Sequence, residues 1–251
     1  MKRLNGRNHW FGSALLALAL VTLTAPAGAA TMVLAATKTP GGFDGDALKP
    51  NTQNVVVQVY EGLAKYAYKK NEKTGRMEID PGKVLPHLAK KWSVSPDGLV
   101  YTIELREGVK SPFGNEMTSV DVVWGWQKSM AQKRTGAFIA RAAGVVKVDV
   151  LDKYTVEFTL DAPNNVFLPA LTLYTPSIYD SVEVKKHATA DDPWALKWID
   201  QNTAGFGAYH LQSLKSGEEA VFVATRIISA ASPSMIAWST RRYRTPAPVS
   251  P

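Results

Sequence analysis

The chain has 251 residues, 45% of them hydrophobic, no cysteine and a formal charge of +7. The lack of cysteine excludes a disulfide-stapled fold and a lipid anchor built on a cysteine at a processed N-terminus. The charge does not point to nucleic acid, because its excess sits at the two ends. Lys2, Arg3 and Arg7 lie before residue 30, and Arg226, Arg241, Arg242 and Arg244 lie after residue 224. Twenty-two basic and twenty-two acidic residues balance in between, which leaves no long basic stripe.

The first segment reads as a targeting leader. Lys2, Arg3 and Arg7 form its basic part, Phe11 to Leu23 its short apolar part, and Ala27-Gly28-Ala29 its small-residue end. Cleavage is expected between Ala29 and Ala30, with export to the periplasm. The apolar run is short for a membrane span. The remaining 222 residues are enough for one hydrophobic core or two small lobes.

Thr31 to Ala36 is β-branched and apolar, a first strand ending at Pro40-Gly41-Gly42. Val56, Val59, Tyr60 and Leu63 have helical spacing, with Asn51 or Asn54 as the cap and Gly62 as an early stop. Leu63 to Tyr68 and Arg76 to Ile79 read as strands around a polar turn at Asn71 to Gly75. Val84 to Trp92 reads as a short helical or irregular segment.

The stretch Pro96 to Trp126 is the most legible. Asp97-Gly98 is a turn dipeptide. Tyr101, Ile103 and Leu105 alternate with Thr102, Glu104 and Arg106, the period of a strand with one buried face. Thr118 and Asp121 have capping-box spacing, and Met117 and Val122 are placed to staple the entry of a helix running to about Gln132, ended by Gly136. Val146 to Leu160, turning at Asp152-Lys153, is a β-hairpin. Phe167 to Leu173, Val182 to His187 and Asp192 to Gln201 read as short helices. Gly205-Phe206-Gly207 reads as a flexible join before strands at Ala208 to Leu214 and Ala220 to Ala224. Trp92, Trp124 and Trp126 sit beside periodic apolar positions and are assigned to the core. Together the elements make a mixed α/β fold with mostly antiparallel pairs. Thr225 to Pro251 breaks this grammar: four prolines, five serines, four arginines and no acid have the composition of a disordered segment.

No reaction chemistry is spelled out. His9, His87, His187 and His210 have no metal-ligand spacing, and neither a Gly-x-Ser-x-Gly elbow nor a phosphate loop occurs. No catalytic residue, metal or cofactor is assigned. The alternatives are an exported hydrolase whose triad assembles only in space, or a secreted interaction module with a functional basic tail.

Several ordered motifs carry a resemblance. They are Tyr60-Glu61-Gly62-Leu63, Pro86-His87-Leu88-Ala89 with Trp92, Asp97 to Lys110, Phe113-Gly114, Met117 to Val123, Asp152 to Leu160, and Gly205 to Tyr209. In this order and spacing the chain resembles the family 5 extracellular solute-binding proteins, the oligopeptide-, dipeptide- and nickel-binding receptors of ABC importers. Ser111-Pro112-Phe113-Gly114-Asn115 and Gly207-Ala208-Tyr209 depart from the family's usual pattern.

The resemblance implies a type II periplasmic-binding-protein fold in which two lobes close on a peptide or similar small solute. It implies a permease in the inner membrane as partner, a monomeric receptor and no enzymatic activity. Family members are about twice this length. The resemblance therefore divides the chain into a leader (1–29), the start of the first lobe with the family's extra subdomain at about 64–200 (30–224), and a tail (225–251) of out-of-frame or truncated origin, with the second lobe absent and binding impaired. By position, Thr39, Phe43, Phe206 and Tyr209 are the expected first-lobe ligand contacts.

Overall fold

The computed structural model describes residues 31–36, 39–47, 49–225 and 237–242. The leader and the Ala29/Ala30 cleavage site lie outside the described residues. The chain runs β1 (Thr31–Ala36), α1 (Gln53–Val59), β2 (Ala64–Lys70), β3 (Met77–Pro86), β4 (Ala89–Val94), β5 (Val100–Leu105), α2 (Ser119–Gln132), α3 (Thr135–Ala142), β6 (Val145–Asp152) and β7 (Thr155–Leu160). It continues through α4 (Phe167–Ala170), α5 (Ser181–Lys185), α6 (Leu196–Ile199), β8 (Tyr209–Lys215), β9 (Glu219–Ala224) and β10 (Ala237–Arg242). The fold is mixed α/β, as the alternating periods predict.

Three sheets form. β4-β5-β7-β6 is antiparallel throughout, β2-β3 is a two-stranded hairpin, and β1-β10-β9-β8 is a mixed sheet. The hairpin read from Val146 to Leu160 is β6–β7, and the Pro96–Trp126 grammar is β5 followed by α2. Gly98 takes φ 73° in the β4–β5 turn, while Asp97 accepts hydrogen bonds from the Leu99 N–H and the Ser95 hydroxyl. The Asp121 carboxylate reaches back to accept the Thr118 N–H at 2.8 Å and the Thr118 hydroxyl at 3.0 Å. An aspartate thus fills the usual glutamate place of a capping box.

α2 is the hub. Trp126 packs in one core with Ile103, Val156, Phe158 and Phe167, and Trp124 packs in a second with Tyr60, Tyr179 and Phe222. Trp124 and Trp126 are two positions apart on the helix and so point about 200° from each other, which lets one helix feed both cores. Gly125 lies where α2 meets the Ser177 carbonyl; a Cβ there would come within 2.1 Å of that oxygen. Trp92 is partly buried against the first core.

Five local expectations are corrected. Val84 to Trp92 is not helical: it completes β3, bends at His87-Leu88 and opens β4, whose backbone pairs with β5 across the Asp97-Gly98 turn. The cap position of α1 falls on Thr52, whose hydroxyl donates to the Gly42 carbonyl, while Asn51 takes φ 58° in the preceding turn. α2 ends at Lys133 in the left-handed region, and Gly136 lies inside α3. Gly205-Phe206-Gly207 is closely packed, since a Cβ at either glycine would come within 2.5 Å of the Val59 carbonyl oxygen. Part of the tail is regular: β10 runs parallel to β1 and antiparallel to β9, with Trp238 opposite both Met32 and Phe222. Its backbone is paired from both sides, and that pairing does not depend on side-chain alternation.

Candidate functional site

The loop after β1 is held by buried charge. Lys128, on α2, is fully buried and donates to Asp44 at 2.8 Å, Asp46 at 3.0 Å and the Tyr179 hydroxyl at 3.2 Å. Tyr179 in turn donates to Asp44 at 2.7 Å, and Arg134 reaches the other Asp44 oxygen at 3.2 Å. Asp46 accepts the Thr175 hydroxyl and the Ser177 N–H. Both carboxylates therefore have several donors, which an ion pair out of water requires. Burial opposes ionisation of Asp44. The Lys128 charge and the hydrogen bonds from Lys128, Tyr179 and the Asp46 N–H outweigh it and hold that carboxyl below its ordinary range. Burial, then the Asp44 charge, keeps the Tyr179 hydroxyl protonated far into alkali.

The residues expected to contact ligand are buried, Thr39 and Phe43 within this loop and Phe206 and Tyr209 at the entry to β8. Phe43 is 0% exposed and stands edge-on to Phe222 at 5.9 Å. Tyr209 is 6% exposed and shares its core, whereas Phe206, at 2%, belongs to the other core. Thr39 is 9% exposed, and its hydroxyl accepts the Gly217 N–H at 3.0 Å. The structure thus brings Phe43 and Tyr209 into one cluster, ties Thr39 to the β8–β9 turn and turns Phe206 away from them.

Three of the sequence motifs converge on Glu61. One carboxylate oxygen accepts the Ala208 N–H at 3.1 Å, and the other lies 2.7 Å from His87 Nε2. The Leu63 carbonyl accepts the His87 and Ala89 N–H groups, and the Val59 carbonyl accepts that of Gly207. This knot joins α1, the start of β4 and the entry to β8. A cavity of about 420 Å³ opens beside it, lined by Val57, Glu61, Lys65, His87, Leu173 and Tyr174. It offers a carboxylate–imidazole pair, an ammonium and apolar walls.

The geometry gives no reaction centre among the described residues. His87 meets Glu61, His187 meets Glu183 and stacks on Trp198 at 4.2 Å, and His210 meets the Thr225 hydroxyl at 3.3 Å. None of these contacts joins hydroxyl, imidazole and carboxylate in one relay. No group of three metal-ligating side chains occurs among the described residues.

Nothing in the linear sequence joins Lys128 to Asp44 and Asp46, or Glu61 to His87. Asp44 and Asp46 are two acids in a glycine-rich turn, but their cation lies 84 and 82 positions away. A signal did exist for Glu61 and His87: each is a polar residue inside an otherwise apolar motif.

Residues 83–226 match the bacterial extracellular solute-binding proteins, family 5 (middle region), over more than half of the chain. The chain belongs to that family. Its members are non-enzymatic binding proteins, in keeping with the absence of catalytic motifs. The chain is 30% identical over 175 residues to the probable D,D-dipeptide-binding periplasmic protein DdpA of Escherichia coli K12, covering 69% of this chain and 31% of that protein. It is 30% identical over 216 residues to the dipeptide-binding protein of the same organism, covering 78% and 38%. The chain thus spans about a third of the length of these relatives. Its fold is similar to that of the periplasmic binding protein DppA of Helicobacter pylori, solved in complex with peptide STSA. That likeness has a TM-score of 0.68 at 19% identity and covers 85% of this chain and 43% of that one.

Proposed function

We propose that this family 5 chain forms one wall of an exported receptor that takes an extended peptide, or a similar small solute, for an ABC importer of the inner membrane. The family match across residues 83–226 carries this reading. Support comes also from relatives that are themselves named as dipeptide-binding and from the three-part leader pattern. Two lobes would close on the solute by a hinge motion and present the closed shape to the permease. On this reading the family's extra subdomain spans about residues 64–200.

Thr39, Phe43, Phe206 and Tyr209 are proposed to act from beneath. Their buried side chains shape the loop after β1 and the entry to β8, and so leave backbone groups to face the solute. The Lys128 network holds that loop in place before ligand arrives, which lowers the cost of ordering it.

A binding site usually covers about 70–90% of a small ligand's surface, and one wall covers much less. Residues 1–251 by themselves are therefore expected to bind free di- and tripeptides only weakly in calorimetric titration. Affinity in the micromolar range or tighter would overturn the single-wall reading. Failure of any solute of this class to bind a form of the protein carrying both lobes would overturn the receptor reading itself.

A further inference from the structure

The outer half of the β2–β3 hairpin wears its faces in reverse. It pairs Ala67 with Asp80, Tyr68 with Ile79, Lys69 with Glu78 and Lys70 with Met77, and the register skips Pro81 to Lys83 between this half and the base. Residues directly opposite share a face, and faces alternate along each strand. One face therefore holds Ala67, Lys69, Glu78 and Asp80, and the other Tyr68, Lys70, Met77 and Ile79. On the first, Ala67 is buried, Lys69 lies 3.4 Å from Asp80, and Asn71 donates to Glu78 at 2.9 Å. The second is apolar and open: Tyr68 is 66% exposed, Met77 63% and Ile79 53%. None of these three belongs to either core. An antiparallel pair with one solvated face ordinarily turns its apolar side chains to the protein and its charges to water.

Cations gather round the apolar face. Lys70 stands on it, opposite Met77, and Lys73 and Arg76 lie in the turn at its end. All three are exposed, and none is ion-paired among the described residues. Of the hairpin's acids, Glu78 and Asp80 are partnered on the opposite face, which leaves Glu72 in the turn as the one beside these cations.

Chemistry and size point to one occupant. A phenol, a thioether and a branched alkyl group among unpaired cations suit a boundary that is apolar beneath and anionic above, which is the headgroup layer of a bilayer with acidic lipids. The face is two strands wide and four residues in all. With strands about 4.8 Å apart and a rise of about 3.3 Å per residue, it falls far short of the roughly 800 Å² per side that a stable protein–protein interface buries. Lipid sets no such threshold, because a few immersed side chains and nearby cations act together.

We propose that the outer half of the β2–β3 hairpin is a membrane-contact site. It seats Tyr68, Met77 and Ile79 among the headgroups of a bilayer that carries anionic lipid, with Lys70, Lys73 and Arg76 on the lipid phosphates. The site makes no use of the solute wall, so this proposal and the receptor reading fail separately.

The chain has no cysteine, so Met77→Cys gives the full chain a single attachment point for the polarity-sensitive dye nitrobenzoxadiazole. Vesicles of phosphatidylglycerol and phosphatidylcholine in equal parts are expected to raise and blue-shift its emission, and phosphatidylcholine alone to do so only weakly. The same dye at Val182→Cys, an exposed position on α5, should not respond, which separates the hairpin from any other part of the chain that enters lipid. Lys70→Gln, Lys73→Gln and Arg76→Gln together are expected to cut the emission rise at subsaturating lipid by about fivefold or more. Tyr68→Ser with Ile79→Ser should abolish the blue shift, and neither set of changes touches a core residue.

No response at position 77 to the acidic vesicles would overturn the proposal. An equal response to neutral vesicles, or an unchanged one in the folded triple-glutamine variant, would remove the cations from it and overturn it too. An equal response at position 182 would mean general adsorption. Emission that rises with protein concentration without lipid would assign the face to a second copy of the chain, and the same blue shift with soluble polyglutamate would assign it to an acidic protein; both would overturn the bilayer as occupant.

Discussion

Lys128 shows how much one side chain carries. Its ammonium is the shared cation of Asp44 and Asp46, and all three side chains are 0% exposed. Lys128→Met preserves the apolar stem and removes the charge, which leaves two acids short of their partner out of water. Loss of about 3–5 kcal/mol in urea unfolding is expected, the scale for breaking a buried pair from one side. The acid limb of stability has a definite sign. The Asp44 carboxyl is held below its ordinary range in the folded state, so its contribution is complete above that range and fades as pH falls below it. In Lys128→Met the balance reverses, because burial without the cation favours the protonated acid. Nothing local to Gln127-Lys128-Ser129 marks this lysine as buried; only the packing of α2 against the loop after β1 does so.

At the scale of elements, the loop between β5 and α2 is pinned through Glu116. Its carboxylate accepts the Gly108 N–H at 2.7 Å, the Lys153 ammonium at 3.0 Å and the Tyr154 hydroxyl at 2.9 Å, bridging this loop to the β6–β7 turn. The backbone bond from Gly108, then the Lys153 and Tyr154 donors, lower its pKa from 4.5 to about 2. The folded value lies below the unfolded one, so the linked stability is fully present above about pH 4.5 and is lost as pH falls towards 2. Glu116→Gln is expected to be less stable than the parent at pH 6. The two should converge by about pH 2 in a urea series taken at each pH. An equal gap at both ends would mean that Glu116 acts by shape alone. The strand and helix flanking this loop were legible because each has its own period, 2 for Tyr101-Ile103-Leu105 and a capped 3.6 for α2. The bridge was not, since Glu116 is a lone acid in a polar loop and its partners come from a different hairpin.

For the whole molecule, the tail is where composition and structure part. Composition marks Thr225 to Pro251 as lacking regular structure, yet Ala237–Arg242 is β10, the strand between β1 and β9. Ending the chain at Ala224 strips β1 of its only strand partner among the described residues and opens one side of β9. Such a truncation is expected to cost about 2 kcal/mol or more, seen as a fall of roughly 4–8 °C in Tm for a chain of this size. An unchanged Tm would show that β10 adds nothing to the fold. By itself the sequence determined the mixed α/β class, the β5–α2 segment, the β6–β7 hairpin and the family, because each rests on short-range periodicity, turn residues and ordered motifs. Tertiary structure alone decided that α2 serves two cores, that Lys128 lies buried between two acids, that Phe43, Phe206 and Tyr209 face inward, and that Tyr68, Met77 and Ile79 face outward. The reason is physical. Period and turn chemistry act over a few residues, whereas burial, ion pairing and strand order depend on which distant segments meet.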